Sequence, residues 1–191
     1  VLTNEWKEKL SVFRETYFPV LEVETMKSKI VNGVAASYYG VSNVGNAIHR
    51  SKYENGGDFP DFLLRLTLKA FRKTFGNTKF DLVLYVPPTH SGNLVKNFAS
   101  KFANVINVPI SHKLIKVRQT NEQKVFQNGW LKQDNVKDAF SYITPNEIIG
   151  KRLILLDDIF DSGATMKEIG KLLTSMGAEM IVPITIAKTI G

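Results

Sequence analysis

The sequence contains no cysteine, which excludes a disulfide scaffold, a thiolate nucleophile and any cysteine-ligated zinc or iron–sulfur centre. Histidine is almost as scarce. His49, His90 and His112 are the only three, and no HExxH or HxH spacing joins them, so a histidine-based metal centre is not expected. No apolar run approaches the ~20 residues that a membrane-spanning helix requires, and no signal-peptide pattern opens the chain. These absences suit a cytoplasmic protein without a membrane partner. Walker A, DExH and four-cysteine zinc patterns are also missing, so ATP hydrolysis by these residues is not expected. The chain starts at Val1 rather than Met, the mark expected of a fragment of something longer.

What is present suffices for one domain with a true core, or one domain plus a small appendage: 191 residues, 43% hydrophobic and 23% charged. The net charge of +7 is unevenly spread. Residues 1–60 carry seven Lys/Arg against seven Asp/Glu, residues 61–120 carry ten against two, and residues 121–191 carry eight against nine. The excess therefore lies in the middle third, a field suited to phosphates on a small ligand or along a nucleic acid. Arg65, Lys69, Arg72 and Lys73 recur at helical spacing, and the plainer reading makes them the wet side of one helix.

Periodicity places an amphipathic helix over Asn4–Thr16 and an extended stretch over Tyr17–Val23. Residues 24–60 give weak signals and end in a loop, SKYENGGDFP. From there strand and helix alternate. A helix over Asp61–Thr74 precedes the apolar strand Asp81–Val86, and a helix capped by Ser91 precedes a strand over Val108–Val117. Residues 118–135 are polar and aperiodic, long enough for a functional loop. A strand over Arg152–Leu156, a turn, a helix over Thr165–Met176 and a strand over Met180–Ala187 complete the chain. Such alternation predicts an α/β fold with a mostly parallel sheet, and a boundary near residue 58 separates the body from an N-terminal appendage.

The segment LILLDDIFDSGAT (Leu153–Thr165) carries the clearest chemistry. An apolar strand delivers Asp157 and Asp158 to the C-terminal edge of a parallel sheet, where such folds bind ligands. The loop Asp161-Ser162-Gly163-Ala164-Thr165 then opens a helix. Its small residues let backbone N–H groups close on an anion, Ser162 and Thr165 add hydroxyls, and the helix dipole adds positive potential. Together they make a monophosphate cup beside an acid pair able to hold a diol or a metal. Ordinary turn chemistry is the plainer alternative.

This segment resembles the ribose-phosphate signature of the type I phosphoribosyltransferases. The resemblance implies that fold, a mostly parallel central sheet flanked by helices, with residues 1–58 as a hood-like appendage and 59–191 as the core. It implies binding of phosphoribosyl pyrophosphate (PRPP) or a related ribose 5-phosphate ligand, with Mg²⁺. Asp157 and Asp158 then take the ribose hydroxyls, directly or through the metal, and Asp161 to Thr165 hold the 5′-phosphate. Asp161 stands where purine phosphoribosyltransferases place a base-activating aspartate, so the resemblance makes it the catalytic candidate. The pyrophosphate loop falls at Pro88, Thr89, His90, Ser91 and Gly92, although the prolines remove donors from it.

A second resemblance spans about residues 37–190. VPPTHSGNLVKNFASKFA, the Arg118/Thr120/Gln123 stretch with Asn135, Ala139 and Phe140, and GKRLILLDDIFDSGAT are similar to the ComF-type branch. The pattern also resembles the phosphoribosyltransferase-like module at the C-terminus of RecQ-like DNA helicases, including KYExGxF at Lys52, Tyr53, Glu54, Gly56 and Phe59 with one extra residue. This implies an accessory or regulatory domain on an ATP-dependent helicase, with DNA as a partner through that parent. The polar loop 118–135 is separately expected to be flexible, carrying Arg118, Gln123 and Lys124. Two further readings stay open: an autonomous transferase, or a DNA-binding accessory with a vestigial site. A homodimer is a further expectation.

Overall fold

The computed structural model describes residues 3–40, 43–54, 57–88, 92–118 and 134–190. Five strands form the main sheet in the order β1-β2-β7-β6-β3. These are β1 (Val20–Leu21), β2 (Gly33–Tyr38), β3 (Leu82–Tyr85), β6 (Arg152–Phe160) and β7 (Met180–Lys188). Only β1 runs antiparallel, against β2; the other neighbours are parallel. The expected α/β class with a mostly parallel sheet is therefore the observed one. A separate two-stranded antiparallel sheet joins β4 (Leu114–Lys116) to β5 (Phe140–Tyr142).

Parallel strands need long crossovers, and the helices that supply them cover both faces of the sheet. Strand alternation divides the core accordingly. On β6, Ile154 and Leu156 enter a core with Val44 and Ile48 of α2 (Asn43–Tyr53), Leu63 and Phe71 of α3 (Asp61–Phe75), and Phe98 and Phe102 of α4 (Leu94–Ile106). Leu153 and Leu155 enter the opposite core, with Leu114, Tyr142, and Ile169 and Leu173 of α5 (Ala164–Ser175). The helix α1 (Asn4–Thr16) precedes the sheet, as its periodicity predicts. Arg65, Lys69, Arg72 and Lys73 are exposed on α3, as the wet-face reading requires.

Four expectations change. The stretch Val108–Val117 is not one strand: Ile110 makes an isolated bridge to Val83, and β4 begins at Leu114 in the other sheet. The chain makes two bonds along β3, Val83 N–H to Pro109 O and Ser111 N–H to Val83 O, and then leaves it, while Pro109, having no N–H, cannot extend the ladder in the other direction. Strand β6 continues through both acids to Phe160, because its register with β7 persists to Phe160–Lys188; the turn is only 161–163. The supposed loop SKYENGGDFP begins as helix, since Ser51, Lys52 and Tyr53 complete α2. Finally, the weakly patterned stretch 24–60 contains β2, which lies within the sheet beside β7. Residues on both sides of position 58 thus share one sheet. No helix among the described residues is long and apolar enough to cross a membrane.

Candidate functional site

Because β3, β6 and β7 are parallel, their C-terminal ends emerge together at one edge of the sheet. Asp157 and Asp158 lie on β6 there. Adjacent strand residues point to opposite faces, so Asp158 turns toward α2 and Asp157 toward β4. The Lys52 Nζ of α2 is 2.7 Å from Asp158 Oδ2. On the other side the Lys116 ammonium attracts Asp157. The Asp158 backbone N–H donates to Asp157 Oδ1 at 2.8 Å, folding the Asp157 carboxyl back on the chain. Two lysines from different elements therefore bracket the acid pair.

These placements alter acidity. Burial and the neighbouring Asp158 carboxylate push the Asp157 carboxyl up to about 8, against the Asp158 N–H and the Lys52 and Lys116 charges. Burial alone would lower the Lys52 pKa, but the charge and hydrogen bond of Asp158 outweigh it and hold the ammonium above its ordinary range. Burial holds Lys116 below that range despite the pull of Asp157.

Beyond Phe160 the loop turns through Gly163, at φ +76°, into α5. A left-handed backbone there suits glycine, and a Cβ would also come within 2.8 Å of the Phe160 ring. The N-cap of α5 has no side-chain hydrogen bond to fill it; Ser162 Oγ accepts from the Ala164 N–H at 3.4 Å, a long contact. The first turn of α5 thus presents backbone N–H groups at the edge where the acids end. Asp161 Oδ1 accepts from Thr189 Oγ1 at 3.0 Å, and the Thr189 N–H donates to Phe160 O at 2.8 Å, so the end of β7 steadies the turn.

The site residues read from sequence are thereby partly gathered. Asp157, Asp158 and 161–165 form one continuous edge. Pro88 ends the described segment after β3, Gly92 begins the next at φ +56°, and Thr89, His90 and Ser91 lie outside the described residues. Gln123 and Lys124 also lie outside them. Arg118 is described: its Nη2 donates to Asn135 O at 3.0 Å and Lys137 O at 2.6 Å, tying together the two chain segments that flank 119–133.

Lys52 and Lys116 received no role from sequence. For Lys52 a signal was available. Val44, Ile48 and Lys52 recur every four residues, so a lysine occupies the next place on an apolar stripe. Such a lysine needs a buried anion.

Among the described residues, a metal held by the protein alone does not fit. The two acids face opposite ways, Asp158 already holds an ammonium, and no three His, Asp or Glu side chains converge among the described residues.

Fold and edge together define a parallel α/β protein with an acidic strand end beside an open helix N-terminus. Residues 77–190 match the family model described as the phosphoribosyl transferase domain, and the chain belongs to that family. It is similar to competence protein F of Haemophilus influenzae, 28% identical over 145 residues. That match covers 70% of this chain, which spans only 63% of the length of that relative. Among solved structures, it resembles the adenine phosphoribosyltransferase (APRTase) of Giardia lamblia complexed with 9-deazaadenine. There the TM-score is 0.45 and the identity 13%, over 73% of this chain and 92% of that one. The glutamine PRPP amidotransferase of B. subtilis gives 0.41 and 23%, over 57% and 23%.

Proposed function

We propose that this domain binds PRPP, or a closely related 5-phosphorylated ribose, at the edge formed by β6 and α5. One observation carries the reading: both acids end on the strand that turns, within five residues, through Gly163 into the helix N-terminus. The 5-phosphate sits against the N–H groups of 163–165 and the Ser162 and Thr165 hydroxyls. The ribose hydroxyls bond to Asp157 and Asp158, and a Mg²⁺ would be supplied as counter-ion by the ligand's own diphosphate. The diphosphate lies toward Pro88–Gly92, with Gln123 and Lys124 assigned to the same side on sequence alone. Asp161 is the base for any acceptor brought to the sugar.

Titration calorimetry with Mg²⁺-PRPP tests this on wild type and the Asp157→Asn/Asp158→Asn protein. The expected result is binding by wild type and none by the double variant, with both folded. Equal affinity in the two overturns the assignment. Pyrophosphate release across a panel of nucleobases, with Asp161→Asn as control, separates a binding domain from an autonomous transferase. We expect little turnover, because Pro87 and Pro88 give the diphosphate few N–H donors.

A second reading makes the chain an accessory domain of a RecQ-like helicase that contacts DNA. It is favoured by the KYExGxF and Arg118/Thr120/Gln123 resemblances and by the excess of Lys/Arg over Asp/Glu in residues 61–120. Phosphate contacts of that kind predict weak, sequence-independent binding, with a log–log salt slope of about −0.9 per phosphate neutralised. Anisotropy titrations on two unrelated duplexes check it, and tight, salt-resistant, selective binding overturns it.

A further inference from the structure

Lys52 sits where the proposed ligand would have to compete with it. Its side chain is 18% exposed, that of Asp158 is 8%, and their polar atoms are 2.7 Å apart. A ribose hydroxyl that bonds to Asp158 must therefore share or displace an ammonium. Displaced, that ammonium stays largely enclosed, and an enclosed charge without a counter-ion is costly. The other acid attracts Lys52 only from a distance, since Asp157 turns to the opposite face of β6 and its Oδ1 is engaged by the Asp158 N–H.

The two sides of the sheet indicate what would replace Asp158. Helix α5, whose N-terminus would take the 5-phosphate, packs on the face of Leu153 and Leu155. Helix α2, which carries Lys52, packs on the face of Ile154 and Leu156. In the proposed pose, with the 5-phosphate at α5 and the hydroxyls at the acids, the remaining end of the pentose would be free to extend to the α2 side of β6. We infer that Lys52 is a ligand-switched specificity residue: it neutralises Asp158 in the free site and passes its charge to a second anionic group at C1 of the bound sugar. Resting on the proposed ribose-phosphate site, this adds a reason for the site to favour a C1 diphosphate over plain ribose 5-phosphate. The second anion repays the separation of the ion pair, whereas a neutral C1 hydroxyl leaves the ammonium stranded.

The test compares PRPP and ribose 5-phosphate on wild type, Lys52→Gln and Lys52→Arg by calorimetry, at one fixed Mg²⁺ concentration. Wild type should prefer PRPP. In Lys52→Gln the PRPP affinity should fall at least tenfold, while ribose 5-phosphate, freed of its competitor, should bind as well or better. Lys52→Arg should keep part of the preference. Equal losses for both ligands, or none, make Lys52 a structural counter-ion and overturn the switch alone. Binding of neither ligand by wild type removes the ribose-phosphate site and the switch with it. A readout independent of affinity is the NMR signal of the Lys52 ammonium. It should be slow to exchange in the free protein, be lost in Asp158→Asn, and shift further with PRPP than with ribose 5-phosphate. If Lys52→Gln fails to fold, this measurement on wild type decides: absence of the free-state ion pair, or equal shifts with the two ligands, overturns the switch.

Discussion

Gly33 of β2 faces the carbonyl oxygen of Pro183 in β7 so closely that a Cβ on residue 33 would collide with it. Proline is rare inside a central strand because it cannot donate to the ladder. Two residues earlier, Ile181 exchanges bonds with this side of the sheet, its N–H to Lys29 O and its carbonyl from the Val31 N–H. Pro183 presents the same edge without a donor, and the chain at Gly33 closes on it. The obstacle to a side chain is backbone, which cannot swing aside. Gly33→Ala should therefore cost about 2–3 kcal/mol or prevent folding. Chemical denaturation checks it, and an unchanged midpoint would disprove the contact.

Gly163→Ala should act on both stability and the cup. The residue has φ +76°, and its Cβ would press on the Phe160 ring and approach Val23. Left-handed strain with partial relaxation of the ring predicts a loss of about 1–3 kcal/mol. Weaker Mg²⁺-PRPP binding should accompany it, because the N–H groups of 163–165 move with the turn. Thermal unfolding and calorimetry on the same samples read the two effects.

Asp157 makes stability depend on pH in an unusual direction for a carboxyl. Its folded pKa, pushed up to about 8 by burial first and Asp158 second, lies above an unfolded value of about 3.9. The native state then holds the proton more tightly, so stability contributed by this group is full below about pH 4 and is lost as pH rises toward about 8. Asp157→Asn removes the titration. Its melting temperature should gain on wild type steadily between those limits and run parallel outside them. A constant offset across the whole range would refute the shifted group.

Tyr142, only 2% exposed, anchors the two-stranded sheet. Its hydroxyl donates to Glu147 Oε2 at 2.8 Å and lies 2.7 Å from Ser111 Oγ, while Lys113 pairs with Glu147 at 3.0 Å. Tyr142→Phe leaves the buried Ser111 hydroxyl short of a partner and should cost about 1–3 kcal/mol. Burial, with help from Glu147, pushes the phenol up to about 12. An acid raised in the folded state contributes stability below its unfolded pKa of about 10 and loses it as pH climbs to about 12. Alkaline unfolding of Tyr142→Phe should be correspondingly flatter over that interval.

Much of the fold was legible where a pattern is local. Leu153–Leu156 reads as a buried strand because both faces are covered, and α3 reads as a helix because Leu63, Ala70 and Phe71 recur on one stripe while Arg65, Lys69 and Arg72 take the other. Strand β2 escaped notice. Its GVAASY has little bulk, and it is a strand chiefly because β7 offers a ladder on one side and β1 on the other. The split of Val108–Val117 was equally hidden, since both halves are extended and only their partners differ: β3 for Ile110, β5 for Leu114–Lys116.

The sequence by itself determined the order of chemical groups along one segment. Two acids, a short small-residue turn and a helix start are fixed by covalent neighbourhood, because strand alternation and helix termini are local properties. Only the tertiary structure decided what surrounds those acids. Lys52 lies 106 positions before Asp158 and Lys116 lies 41 before Asp157, and no local periodicity links them. They meet because α2 and β4 are packed on opposite faces of β6, so that Asp158 pairs with the Lys52 ammonium while Asp157 lies within the field of Lys116. The pKa of Asp157, the occupied state of Asp158 and the role inferred for Lys52 all follow from that placement, since charge interactions depend on distance through space and on exclusion of water.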